Sequence, residues 1–211
     1  MVDIHMPDFD TVPGNALCLD FTHTLTERYS DIGPKELLNS YSDLVAWGLF
    51  AHILTDEEAS TLLEVAEQHP ERAKQALEQA KELREALYRL FYALAVEETP
   101  ARDDLKLLNM RLSEAMAQAR IVPDTQGYKW DWVRDEQALD RILWPVVRSA
   151  ADLLTSEKLP DVRACAAEDC RWLFLDISKN HSRRWCDMQT CGNQAKARRH
   201  YQRAKGRTVH S

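Results

Sequence analysis

Residues 165–203 read CAAEDCRWLFLDISKNHSRRWCDMQTCGNQAKARRHYQR. Four of the chain's five cysteines stand here, spaced Cys165-x4-Cys170-x15-Cys186-x4-Cys191, and only Cys18 lies elsewhere. Structural zinc takes four soft ligands in a tetrahedron, and two short cysteine pairs brought together by a hairpin supply that geometry. Four thiolates and one Zn2+ leave a net charge of -2, which Arg183 and Arg184 offset while favouring the thiolate form. Residues 171–175 have strand character and pair with a second strand around Val162–Ala164. A closed four-thiolate site leaves no position for water or substrate, so the metal is structural rather than catalytic. Unrelated reduced cysteines and a redox switch are the competing readings, and His181 is a competing ligand.

The same stretch is basic while the rest of the chain is acidic. Residues 160–211 hold 11 Lys and Arg against 5 Asp and Glu, net +6, whereas residues 1–159 carry net -13. Such a split speaks about partners, not about fold. At helical spacing Lys196, Arg199, His200, Arg203 and Arg207 share one side of a helix, with Arg198 and Lys205 flanking a narrow stripe of Ala197, Tyr201 and Ala204. Asn193 is the expected N-cap and Gly206 the expected stop. Residues 179–207 contain 9 Lys and Arg and one acid, Asp187. A solvated charged face is the plain alternative; the segregation of charge favours a nucleic-acid contact instead.

Outward from that module, the chain reads as helices. Thr55 followed by Glu58 is a capping box opening a helix. Long helices are expected over about 71–97, on Ala73, Ala76, Leu77, Ala80, Leu83, Leu87, Leu90, Phe91 and Leu94, and over about 102–119, on Leu105, Leu108, Leu112, Ala115 and Met116. Pro34 suits the first turn of an earlier helix running to Phe50, with a break near Ser40. The segment NALCLDFTHTL (15–25) reads equally as strand or buried helix. Alternation in YKWDWV (128–133), after ARIV (119–122), predicts a hairpin. A last helix over about 135–156 contains Pro145, where a kink or break is expected. The fold class is therefore mainly α: a helical domain with a small β-hairpin, residues 1–158, and a small zinc module of treble-clef type with a basic C-terminal helix, residues 159–211. No phosphate loop or metalloenzyme helix motif occurs, and with 6 glycines phosphate-cradling loops are not expected. No apolar run reaches a membrane span, and no signal peptide is read at the start, so a cytoplasmic location is expected, where thiols stay reduced.

The first cysteine pair, KN (179–180), SRRWC (182–186), Met188, CGN (191–193) and KARRHYQR (196–203) together resemble the CGNR-type zinc finger. LCLDFTHTL (17–25), ELLNSYSDLVAW (36–47), LREALYRLF (83–91) and SAADLL (149–154) are similar to segments of the ABATE domain that precedes this finger in bacterial proteins described as stress-induced transcription regulators. Gln194 stands where the finger motif has Arg, and His23 where the domain's segment has Asn.

The resemblance implies one structural zinc on Cys165, Cys170, Cys186 and Cys191 and a DNA-binding transcriptional regulator rather than an enzyme. The candidate nucleic-acid contacts are Lys179, Arg183, Arg184, Asn193, Lys196, Arg198, Arg199, Arg203 and Lys205, with DNA favoured over RNA. An RNA-binding finger and a module docking an acidic protein are the alternatives. The body is expected to sense a small-molecule effector or to associate as a homodimer. Asp20, His23, Thr24, Arg28, Trp47 and Arg84 are the candidate pocket residues, each of which could equally be a cap, an internal ion pair or a satisfied buried group.

Overall fold

The computed structural model describes residues 5–9, 14–133 and 135–197. The ambiguous first segment is helical: α1, Leu17–Thr22, buries Cys18, Leu19, Phe21 and Thr22 on nearly all sides, which defeats the alternation a half-buried strand requires. Two short strands, β1 (Leu25–Thr26) and β2 (Lys35–Glu36), then pair antiparallel. Pro34 precedes β2 and opens no helix. The expected break near Ser40 is the true start, because Ser40 and Asp43 form a capping box for α2 (Tyr41–Phe50). Thr55 and Glu58 cap α3 (Asp56–Gln68) as their spacing predicts.

Helix α4, Pro70–Ala95, buries the predicted stripe from Ala73 through Phe91. In α5, Arg102–Met116, Leu108 and Ala115 face inward but Leu105 is 46% exposed, while its neighbour Asp104 is buried against Arg89 of α4. β3 (Ala119–Asp124) and β4 (Gly127–Trp132) form the expected hairpin, with Ile121 opposite Trp130. The last body helix is shorter than its pattern: α6 spans Leu143–Leu154, and residues 136–142 are turns. Pro145 therefore falls in the first turn, where its missing N–H leaves no bond unmade, and no kink follows.

Strands β5 (Val162–Ala164) and β6 (Leu173–Leu175) pair antiparallel, Val162 opposite Leu175. Their pleat divides two cores. Val162, Leu173 and Leu175 belong to the main hydrophobic core of the helices, while Trp172, Phe174, Cys165, Ala167 and Cys186 form a second cluster. Burying a leucine contributes about 1.5–3 kcal/mol, so Leu173 and Leu175 alone attach the hairpin firmly to the body. Among the described residues no helix is long and apolar enough to cross a membrane.

Candidate metal centre and its attachment to the body

The sulfur atoms of Cys165, Cys170, Cys186 and Cys191 all lie within 4.8 Å of one another. Cys170 Sγ is 3.6 Å from Cys186 Sγ, which is 3.7 Å from Cys191 Sγ. A zinc–sulfur bond of about 2.3 Å puts tetrahedral sulfurs about 3.8 Å apart, so the donor set fits one zinc. Hydrogen bonding from Cys170, Cys186 and Cys191 drives the Cys165 thiol strongly toward thiolate, whereas hydrogen bonds with Cys165, Cys170 and Cys191 push Cys186 the other way. Sulfurs this close share few charges by themselves; a divalent cation removes that restriction.

Each knuckle has its own scaffold. The Cys165 N–H donates to Trp172 O across the hairpin, Cys170 N–H closes a turn on Ala167 O, and Arg171 leaves that turn with φ of 51°. In the second knuckle Asp187 accepts from the Thr190 N–H, and a turn of π-helix, Met188–Gly192, carries Cys191. Residues 193–197 continue as helix. Asp187 is thus the capping residue in place of Asn193, whose side chain donates to Gln189 O inside the turn. A Cβ on Gly192 would lie 2.9 Å from Met188 Sδ, so glycine lets Met188 fold back over the turn. Between the knuckles, buried Asp176 accepts from the backbone of Ser178 and Arg183; burial opposes its ionisation, yet these bonds hold its carboxyl below the ordinary range.

The predicted basic residues divide. Lys179, Arg184, Asn193 and Lys196 are exposed. Arg183 is turned inward: its guanidinium lies 4.5 Å above the Phe174 ring and donates to the carbonyls of Trp185 and Cys186. It holds the second knuckle against the hairpin. Arg198, Arg199, Arg203 and Lys205 lie outside the described residues.

The six candidate pocket residues are engaged within the chain. Asp20 accepts from the Gly14 N–H, and burial raises its carboxyl pKa. Thr24 donates to Phe21 O. Arg28 pairs with Glu85 and lies 4.1 Å over the Tyr88 ring. Arg84, 3% exposed, makes a two-pronged pair with Glu36 at 2.6 and 2.8 Å and reaches Glu85 at 2.9 Å. Trp47 is 1% exposed and packs on Phe21 within the core. His23 is buried, stacks on Trp172 with centroids 4.2 Å apart, and sets Nε2 2.9 Å from Leu173 O.

His23 and Trp172 belong to a seam between body and zinc module. There, Tyr88 Oη donates to Arg171 O, and the Arg171 guanidinium donates to Tyr92 Oη while lying 4.6 Å above Tyr29. Leu175 N–H donates to Gly14 O, and Asn15 Nδ2 to Leu175 O. Sequence reasoning missed Arg171 and the tyrosines; the only signal was the i, i+4 pair Tyr88 and Tyr92 on a helix face next to Arg84.

Two family descriptions match the chain. "CGNR zinc finger" covers residues 162–204, and ABATE, "Putative stress-induced transcription regulator", covers residues 15–157. A search of curated proteins found no match. Neither family description is enzymatic, and the four-cysteine site agrees with the finger in kind and number of donors. With the greater part of its length matched and the cysteine cluster assembled beside it, the chain belongs to the ABATE family of "Putative stress-induced transcription regulator" proteins and carries a C-terminal CGNR zinc finger.

Proposed function

We propose that the zinc module binds nucleic acid, duplex DNA in preference to RNA, and that the helical body governs this binding as the regulatory half of a cytoplasmic transcription regulator. The observation that carries the reading is charge: 9 Lys and Arg against one acid over residues 179–207, on a chain of net charge -7. That one acid, Asp187, is committed to capping the second knuckle. Lys179, Arg184 and Lys196 stand exposed on the module the metal folds, and Arg198, Arg199, Arg203 and Lys205 follow in sequence. Zinc does no chemistry in this scheme; it fixes two knuckles that are too small to hold their shape alone.

The test is a salt titration of the zinc-loaded full chain on pooled duplex DNA and pooled RNA, by fluorescence anisotropy, from about 50 to 200 mM salt. Five phosphate contacts give a log–log slope of about -4 to -5. The control is a charge variant, Lys179→Ala with Arg184→Ala and Lys196→Ala, which touches only exposed residues. Deleting the module is the poorer control, because it takes Val162, Leu173 and Leu175 out of the main core. Steep binding to duplex DNA that the variant weakens supports the reading. A preference for RNA moves the protein to the RNA-binding class, and no binding at low salt makes the basic face a protein-docking surface.

A further inference from the structure

We infer that the body holds an effector site for an amphipathic organic cation, in a groove where the start of α2, the end of α3 and the start of α4 meet. This rests on the reading of the body as the regulatory half, and it names the class of molecule that the body would sense. The groove encloses about 700 Å³, within the range of small-molecule sites. Its walls are apolar: Leu63 and Ala66 from α3, Ala73 and Leu77 from α4, and Tyr41 from α2. The helical spacing puts each pair on one face, and the two alanines leave open the space that larger residues would fill. Tyr41 commits its hydroxyl to Leu139 O, so it offers the groove ring surface rather than a donor.

The charge of the ligand follows from the rim. Glu64, Glu67 and Lys74 stand exposed there and make no ion pair among the described residues. Three helix ends also converge. The positive ends of α2 and α4 already carry acids in their first turns, Asp43 and Glu71, and Asp43 is locked into the α2 capping box. The negative end of α3 has no basic residue in its last turn, and two of the uncompensated carboxylates lie beside it. Two carboxylates and a bare carbonyl end outweigh Lys74 and leave the mouth negative, with the His5 imidazole the other basic side chain on the lining. An apolar body with one delocalised positive charge satisfies both the walls and the mouth; an anion of the same shape satisfies only the walls.

Tetraphenylphosphonium and tetraphenylborate are such a pair, nearly identical in shape and opposite in charge. Isothermal titration of the zinc-loaded full chain, without nucleic acid, should give 1:1 binding of the cation at least about tenfold tighter than of the anion. Glu64→Gln with Glu67→Gln, at exposed positions, should bring the two affinities within about threefold. Ala66→Phe should abolish both, with an unchanged circular dichroism spectrum confirming the fold. The inference is overturned by no saturable binding of the cation, by equal or tighter binding of the anion to the unaltered chain, by a cation preference of about tenfold that survives the double glutamate variant, or by cation affinity that survives Ala66→Phe. Because nucleic acid is absent, failure here leaves the DNA-binding reading untouched, and failure of that reading leaves this site untouched.

Discussion

His23 and Trp172 lie ring on ring, centroids 4.2 Å apart and planes within 10°, across 149 positions of sequence. One belongs to the turn after α1 and the other stands just before β6, so their stack ties the helices of the body to the zinc module. The same imidazole reaches the Leu173 carbonyl, which fixes a proton on Nε2 in the neutral ring.

That geometry makes the joint acid-labile. Burial, with the Arg28 charge adding to it, lowers the His23 pKa to about 4 from an ordinary 6.5. Between those values the unfolded chain binds a proton that the folded chain refuses, so stability is full above pH 6.5 and falls toward pH 4. Two and a half pH units correspond to about 3 kcal/mol. His23→Asn removes the titrating group, and the difference in urea-unfolding free energy between the two proteins should shift by about that amount from pH 7 to pH 4. A constant difference would show that His23 is not the group responsible.

Zinc and the helical core should melt together. Val162, Leu173 and Leu175 face the main core while Trp172, Phe174 and the cysteines face the metal, so loosening one side of a three-residue strand loosens the other. Stripping the metal should lower the Tm of the whole chain by on the order of 10 °C, the equivalent of about 3–4 kcal/mol for a chain of this size. Scanning calorimetry with and without chelator checks it. A body transition that stays in place while a separate small transition vanishes would mean the two cores are independent.

How much of this was legible in sequence depends on distance. The four ligands were, because identity and spacing alone define a thiolate tetrahedron, and so were the Thr55 cap and the α4 stripe, which are local patterns. Pro145 was misread because nothing local marks Leu143 rather than residue 135 as the start of α6. The roles of His23, Arg28 and Arg84 were hidden, since their partners Leu173, Glu85 and Glu36 lie 48 or more positions away. Polar residues in an amphipathic segment look alike whether they line a pocket or pair in a seam; only the fold distinguishes them.

The Arg84–Glu36 pair, between α4 and β2 inside the body, can be measured directly. Arg84 is almost wholly buried, and Glu36 supplies both of its carboxylate oxygens to it. Burial opposes ionisation of Glu36, but Arg84 holds its pKa below the ordinary range. Glu36→Ala leaves the two terminal nitrogens of buried Arg84 without their carboxylate, with Glu85 held only at Nε, and should cost about 3 kcal/mol, whereas adding Arg84→Met should recover most of it, because a buried pair replaced by apolar groups is often neutral. Denaturant unfolding of the single and double variants reads the two values. A double variant no more stable than the single would mean that Arg84 matters for packing rather than for charge.

Adjacent arginines should fail in different ways. Arg184 is exposed, its guanidinium 5.4 Å from the Trp185 ring, while Arg183 is folded onto Phe174 and bonded to the carbonyls of Trp185 and Cys186. Arg184→Ala should leave zinc affinity unchanged and weaken nucleic-acid binding, reducing the salt slope by about 1. Arg183→Ala removes the support of a metal ligand's backbone and should weaken zinc binding by about 10–100-fold, as loss of an outer-shell partner does. Arg183→Lys, which keeps the charge but not the planar fork, should resemble the alanine variant in zinc affinity. Chelator competition followed by anisotropy on the metallated proteins separates the two roles. Equal zinc affinity in all three variants would return Arg183 to the candidate nucleic-acid contacts.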